Sequence, residues 1–312
     1  MSEPARIPVG AGTPEGINSA YHLPDRGVVV DPGPPTDAAW DTLTDALGSL
    51  DDVECVLVTH WHADHAGLAC RLAEAAGATI HMHAADAPLV GAYAAERERR
   101  LERDVAALRR WGVPEDRRAA LVESDTPSAL PGAYDVREHE DGETVAGVEF
   151  LHTPGHTLGH TSFVAGGTLL LGDLLLPTYT PNVGGSDTRI DDPLSVYLPA
   201  IDRVNARFDS GEPGHGTTMD VDRAVQTVKT HHRERATAAF AAVERMGAAT
   251  PWAVACDLFG GMDGLHVKFG AGEAAAHLER LAALALLERR GEDPVRYRAR
   301  VPDYPSGLNL TP

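Results

Sequence analysis

Thr59-His60-Trp61-His62-Ala63-Asp64-His65, directly after the largely apolar run Val53 to Val58, is the stretch on which the fold turns. Val53 to Val58 is too short for a helix and fits a buried strand, and Asp64 to Ala76 reads as the helix that follows, ending at Gly77. Four potential ligands therefore leave one strand-to-helix turn. Imidazole nitrogen suits zinc, iron and related borderline ions, and a carboxylate adds the negative charge that holds a second cation near the first. In a loop, His60 and His62 can point to the same side, and Asp64 and His65 can face a neighbouring position. With 15 histidines in 312 residues a chance pair is common, but three histidines and an aspartate in six positions at a strand end are not.

Further along the chain, three more candidates stand at loop ends: His156 in Thr153-Pro154-Gly155-His156-Thr157, Asp173 after Gly172, and His215 in Pro213-Gly214-His215-Gly216. Each follows a glycine, which lets the backbone turn tightly and aim the next side chain inward. Around them the chain alternates short strands and helices. Strands are expected at Asn18 to Leu23, Val28 to Asp31, Ala78 to His83, Val148 to His152, Ser162 to Ala165 and Leu169 to Gly172, with a helix over Thr36 to Leu50. This pattern is that of an α/β domain. A charged helical insertion occupies about 86–130. After Asp220 the order becomes three helices, Asp220 to Met246, Pro251 to Phe259 and Glu273 to Arg290, then a hairpin ending in Val295 to Arg300, which is winged-helix order. The expected domains are a catalytic domain over 1–219 and a winged-helix-like C-terminal α domain over 220–312.

Composition bounds the functional classes. Hydrophobic residues are 43% and charged residues 23%, ordinary for a globular chain. No stretch approaches the roughly 20 apolar residues of a membrane span, and Met1 to Gly16 lacks the basic and apolar regions of a leader, so a cytoplasmic location without membrane partners is expected. Cys55, Cys70 and Cys256 form no CxxC pair and read as buried thiols. The net charge is −19 and the only lysines are Lys229 and Lys268, a surface that repels polyanions at low salt and resembles that of halophilic proteins. No GxSxG elbow, phosphate loop or dinucleotide fingerprint is present.

HxHxDH, TPGHT, the Gly172-Asp173 pair and the late Gly214-His215-Gly216 together resemble the metallo-β-lactamase superfamily, in order, over roughly Asn18 to Gly216. The resemblance implies an αββα sandwich with two divalent metal ions, zinc first and iron or manganese as alternatives, at its edge. Carried over position by position, His60, His62 and His156 look like the ligands of one ion, Asp64, His65 and His215 those of the other, and Asp173 the bridge. Asp31 looks like the family's acidic residue after the second strand, placed to accept from a ligand histidine, and His160 is a candidate for the same supporting role. The remaining histidines, His81, His83 and His152 among them, are read as core or surface residues.

Two cations on one water lower its pKa from near 15.7 toward about 7, so a metal-bound hydroxide is the expected nucleophile, with Asp64 also able to hold its remaining proton. Superfamily resemblance alone does not choose the substrate. TPGHTxGH is similar to hydroxyacylglutathione hydrolases, the glyoxalase II group, which cleave thioesters, so a small ester or thioester leads. The likeness of the whole architecture to β-lactamase-like proteins with a C-terminal winged helix makes a single-strand-specific endoribonuclease, with RNA as partner, the alternative. An iron-dependent persulfide dioxygenase is the third reading. Residues 220–312 otherwise serve packing or dimerisation, with a homodimer as one reading, and the sequence does not give the oligomeric state. Tyr179 and Asn182, in the loop Pro177 to Gly185, are candidate substrate contacts.

Overall fold

The first twelve strands form two six-stranded sheets in the computed structural model, which describes residues 3–13 and 16–311. Of Met1 to Gly16, read above as carrying no leader, residues 1, 2, 14 and 15 lie outside the described residues, as does residue 312 of the expected C-terminal domain. The first sheet runs in sequence order: β1 (Ala5–Thr13), β2 (Gly16–Leu23), β3 (Val28–Val30), β4 (Cys55–Leu57), β5 (Thr79–His83) and β6 (Val136–His139). β1 to β3 pair antiparallel and β3 to β6 parallel, and the crossovers carry α1 (Asp37–Leu47), α2 (Ala63–Ala66), α3 (Ala69–Ala76) and α4 (Ala87–Gly91). The second sheet is built from β7 (Thr144–Val145), β8 (Val148–His152), β9 (Thr161–Ala165), β10 (Thr168–Gly172), β11 (Ser210–Pro213) and β12 (Met219–Asp220), ordered β12-β11-β10-β9-β8-β7.

Successive residues of a strand face opposite sides. Tyr21, Leu23, Val28, Val30 and Leu57 of the first sheet therefore share one core with Val148, Phe150, Phe163 and Leu170 of the second. Phe150 and Phe163 are register partners and meet edge to face, with centroids 4.9 Å apart. The opposite face of the first sheet, Ala20, Val29, Val56, Val58, Ile80 and Met82, packs on Ala39, Leu43, Leu72 and Ala73 of the helices. The second sheet is bound to the 200–205 end of α7 (Pro193–Asn205), where Arg203 donates to the His152 carbonyl.

The helix expected over Asp64 to Ala76 is broken into α2 and α3. Leu68 N–H donates to Gly33 O and Gly33 N–H to His65 O, so the backbone beside the metal motif bonds to the β3 exit loop instead of continuing one helix.

The chain forms two compact units, and neither is a single continuous stretch. The first, residues 1–97, 127–181 and 200–225, holds both sheets. The second joins 98–126 and 182–199 to 226–312, so three of the five boundaries fall within α5 (Tyr93–Arg110), α7 and α8 (Val221–Met246) and two in loops, in place of a single boundary near Asp220. It further contains α6 (Glu115–Ser124), α9 (Pro251–Phe259), α10 (Leu265–Ala283) and the antiparallel hairpin of β13 (Leu287–Arg290) and β14 (Arg296–Ala299). Side chains explain why distant segments join. The buried Asp104 carboxylate of α5 accepts from Lys268 Nζ of α10 at 2.8 Å and from the Thr188 hydroxyl at 2.8 Å. The third helix also differs from the sequence expectation: it starts at Leu265 and ends at Ala283, and Leu287 opens a strand, because Ala285 takes a left-handed φ of 60°.

Also within this unit, His277 Nδ1 donates to Glu273 O (2.7 Å), which leaves Nε2 to accept from His232 Nδ1 (3.2 Å). His231 and Arg235 of α8, the Glu273 carboxylate of α10 and the Tyr197 ring of α7 surround the pair. Burial first, then the neighbouring cationic groups, hold His232 well below the ordinary histidine range, and burial likewise lowers His277. Below pH of about 6.5 the unfolded chain takes up protons that this folded pair refuses, so stability falls as pH drops. The melting temperature should therefore fall between pH of about 7.5 and about 5.5, and less steeply in His232→Leu/His277→Leu. An equal slope in the two proteins would refute the pair's contribution.

Of the cysteines, Cys70 is buried, its thiol pushed up to about 12 by desolvation, whereas Cys55 is half-buried and Cys256 exposed. No helix among the described residues is long and apolar enough to cross a membrane.

Candidate metal centre

Strand ends of both sheets converge on one cluster. His60 and His62 follow β4, Asp64 and His65 lie on α2, His156 sits in the β8–β9 loop, Asp173 follows β10 and His215 follows β11. Their donor atoms form three overlapping groups, His60/His62/His156, His60/His65/Asp173 and Asp64/His65/His215. All seven residues singled out by the sequence are thus brought together.

The distances test whether cations fit. His62 Nδ1 lies 3.0 Å from His60 Nε2 and 3.1 Å from His156 Nε2. Asp64 Oδ2 lies 3.5 Å from His65 Nε2 and 3.3 Å from His215 Nε2. Asp173 faces both sides: Oδ1 is 3.3 Å from His65 Nε2, and Oδ2 is 3.6 Å from His215 Nε2 and 3.8 Å from His156 Nε2. Ligands about 2.0–2.1 Å from a tetrahedral ion stand about 3.3 Å from one another, so these spacings are those of coordinating atoms. His65 Nε2 and Asp173 Oδ1 are buried and have no hydrogen-bond partner among the described residues. Buried polar atoms are ordinarily satisfied, so both are left facing the place where a cation fits.

Behind the cluster, Asp31 prepares two of the rings. Its Oδ2 accepts from His65 Nδ1 (2.9 Å) and from the Thr59 hydroxyl (2.7 Å), which in turn accepts from His60 Nδ1 (3.0 Å). Oδ1 accepts from Thr59 N–H (2.8 Å). One carboxylate therefore leaves the Nε2 lone pairs of both His60 and His65 directed at the centre. Asp31 adopts φ 47°, a left-handed conformation unusual for a non-glycine residue. His160 Nε2 accepts from Asp173 N–H (3.0 Å), while its Nδ1 is tied to Thr153 O (3.1 Å). Glycine is required before Asp173: Gly172 has φ 55°, and a Cβ there would lie 2.8 Å from His160 Nε2.

Charge within the cluster divides by position. Burial and then the neighbouring imidazoles lower His60 well below its ordinary range, and burial followed by His156 lowers His62 to about 3. For His65, burial opposes protonation but the carboxylates of Asp173, Asp64 and Asp31 outweigh it. His215 rises to about 9 because bonds to Asp173 and Asp64 overcome burial. Desolvation works against ionisation of Asp64 and Asp173, yet the imidazoles of His65 and His215 hold both below the ordinary carboxylate range. Protons and a divalent cation compete for the same lone pairs here.

Tyr179, on the loop after Asp173, is exposed, whereas Asn182 accepts from Gly185 N–H (3.0 Å), closing its own loop, and donates to Phe269 O (3.4 Å), tying that loop to α10. Sequence reading missed Asn18. Its buried side chain donates to the Asp64 backbone oxygen and to Asp64 Oδ2, both at 3.1 Å. An asparagine inside a strand, where its type is depleted, was the available signal. Asn18→Ala should lower hydrolysis about 10–100-fold, the usual cost of losing a partner that orients a ligand. Turnover measured beside metal content checks this, and unchanged turnover would exclude the role.

The sequence pattern of the metallo-beta-lactamase superfamily matches residues 13–247. No curated protein matches the chain. Among solved structures, a metallo-beta-lactamase family protein from Thermus thermophilus is 30% identical, with 95% of this chain and 98% of that one aligned at a TM-score of 0.78. A beta-lactamase domain protein from Burkholderia ambifaria is 24% identical over 94% and 87% of the two chains (TM-score 0.69). An archaeal superfamily protein from Sulfolobus tokodaii is 20% identical over 74% and 86% (TM-score 0.51); these last two show the shared fold. With the pattern covering most of the chain and the Thermus protein aligned nearly end to end, the chain belongs to the metallo-β-lactamase superfamily of metal-dependent hydrolases.

Proposed function

We propose that this protein is a dinuclear hydrolase of a small ester or thioester. The observation that carries the reading is Asp173, whose two oxygens face the ligand atoms of both groups. His60, His62 and His156 would hold one cation, Asp64, His65 and His215 the other, with Asp173 shared between them. Bound there, two divalent cations lower the pKa of a water and neutralise charge developing on the substrate oxygen. The chain's own residues do the rest. Asp64 is 40% exposed while His65, His215 and Asp173 are at most 9% exposed, so it is the carboxylate that can accept a hydrogen bond from water in the site and orient it. Asn18 holds that carboxylate in place, and Asp31 keeps the His60 and His65 tautomers.

A neutral substrate is favoured over RNA by charge. Three of the arginines near the end of α10 and on the hairpin are engaged by acids: Arg289 with Glu279, Arg290 with Glu288, Arg280 with Asp192. A phosphate-binding face needs such cations free.

Elemental analysis of the full chain should give about two equivalents of zinc, iron or manganese, with thioester or ester turnover that a chelator abolishes and zinc restores. Cleavage of fluorogenic single-stranded RNA without ester turnover would replace the reading with the ribonuclease. One iron and oxygen uptake on a persulfide would replace it with the dioxygenase.

A further inference from the structure

Asp86, between β5 and α4, is fully buried and touches none of the seven candidate ligands through the bonds it makes to Thr157 and Gly159. Its Oδ2 accepts from the Thr157 hydroxyl at 2.6 Å and its Oδ1 from Gly159 N–H at 2.9 Å. Burying a carboxyl group is costly unless hydrogen bonds compensate it, and the two bonds to the loop supply that compensation. What it grips is the loop between β8 and β9, one residue after His156 and one before His160.

That loop carries little regular structure of its own. Gly155 N–H donates to Thr157 O and Thr153 N–H to His160 O, which close it upon itself, and His152 Nε2 donates to Leu158 O. Asp86 reaches it from the other sheet. From Thr157 the constraint passes to His156, whose Nε2 stands 3.1 Å from His62 Nδ1. From Gly159 it passes to His160, whose Nε2 accepts the Asp173 N–H.

We propose that Asp86 is a positioning residue: by gripping Thr157 and Gly159 it sets the aim of the His156 imidazole and, through His160, of Asp173. The inference rests on the dinuclear reading above. The role is geometric, so an asparagine, which can accept from Gly159 N–H and donate to the Thr157 oxygen, should replace it.

The test is competition for Zn2+ between a chromophoric chelator and the full chain, alongside the melting temperature of each metal-free protein. Asp86→Ala should bind its weaker zinc about 10–100-fold less tightly than wild type. Thr157→Val should shift affinity in the same direction by less, and the double variant should be no worse than Asp86→Ala, because the two side chains act through one bond. Asp86→Asn should stay within about threefold of wild type by the same logic. A folded Asp86→Ala with wild-type zinc affinity and only a lowered melting temperature would overturn the proposal, leaving a purely structural carboxylate. If Asp86→Ala does not fold, Thr157→Val decides, and unchanged affinity there overturns it. A wild-type chain that takes up no zinc, iron or manganese would overturn the dinuclear reading itself, a result distinguishable from failure of the variants alone.

Discussion

Asp173→Ala is expected to reduce hydrolysis by about 10³-fold or more and to drop bound metal from two equivalents toward one or none. Asp173 alone among the seven presents one oxygen 3.3 Å from His65 Nε2 and the other within 3.6 Å of His215 Nε2 and 3.8 Å of His156 Nε2. Removing it takes a negative charge from between two proposed cation positions, where like charges would otherwise repel at short range. The fold should survive, because Asp173 sits at the exit of β10 while the cores are filled by Phe150, Phe163 and Leu170 on one side and Val56, Ile80 and Leu72 on the other. Metal analysis and turnover on a folded variant read the outcome together. Two retained metal equivalents with near wild-type turnover would sink the dinuclear centre.

The second large effect needs only one methyl group. In Gly214→Ala the new Cβ would stand 2.5 Å from Asp173 Oδ1 and 2.6 Å from His65 Cε1, closer than non-bonded atoms approach. The ring of His65 is held by Asp31 and the backbone of Asp173 by His160, so relief of the clash has to turn the Asp173 carboxylate out of place or push the loop away. The methyl must therefore displace a ligand or the His215 loop. A misplacement of about 1 Å at a reacting centre costs about 100-fold, so turnover should fall by at least that factor. Gly261→Ala, where a Cβ meets nothing within 4 Å, serves as the control and should behave as wild type. Activity of Gly214→Ala within about threefold of the control would mean that the His65–Asp173 side of the cluster is not where the chemistry occurs.

These two predictions concern residues that could be found without coordinates. HxHxDH, Gly155-His156, Gly172-Asp173 and Gly214-His215 are legible because chemistry-bearing side chains were placed at strand ends behind glycines, and strand ends can be read from short apolar runs. β2, β3 and β4 were legible for the same reason, with Val28, Val30 and Leu57 on one face and Val29, Val56 and Val58 on the other. Local pattern misled where a remote backbone group intervened. Asp64 to Ala76 has helical spacing, yet Gly33 takes the hydrogen bonds at Leu68 and His65 that a continuous helix would have used. Leu278, Leu281, Leu284 and Leu287 share a spacing of three, yet the left-handed turn at Ala285 puts the last of them on a strand.

The α/β pattern and the seven candidate ligands could be read along the chain, because periodicity and ligand spacing are local properties of a sequence, and the resemblance of those motifs pointed to the superfamily and its sandwich. Asp31 and His160 behind the metal cluster were legible too, whereas its contact with Asn18, the grip of Asp86 on the β8–β9 loop, and how the helical segments combine became visible only in three dimensions. Asn18 meets Asp64 across 46 positions, Asp86 meets Thr157 across 71, and Asp104 meets Lys268 across 164. A hydrogen bond between distant segments leaves no period in either one. It forms because burial removes water from both partners and leaves each with the other as its alternative, a condition that exists only once the chain has folded.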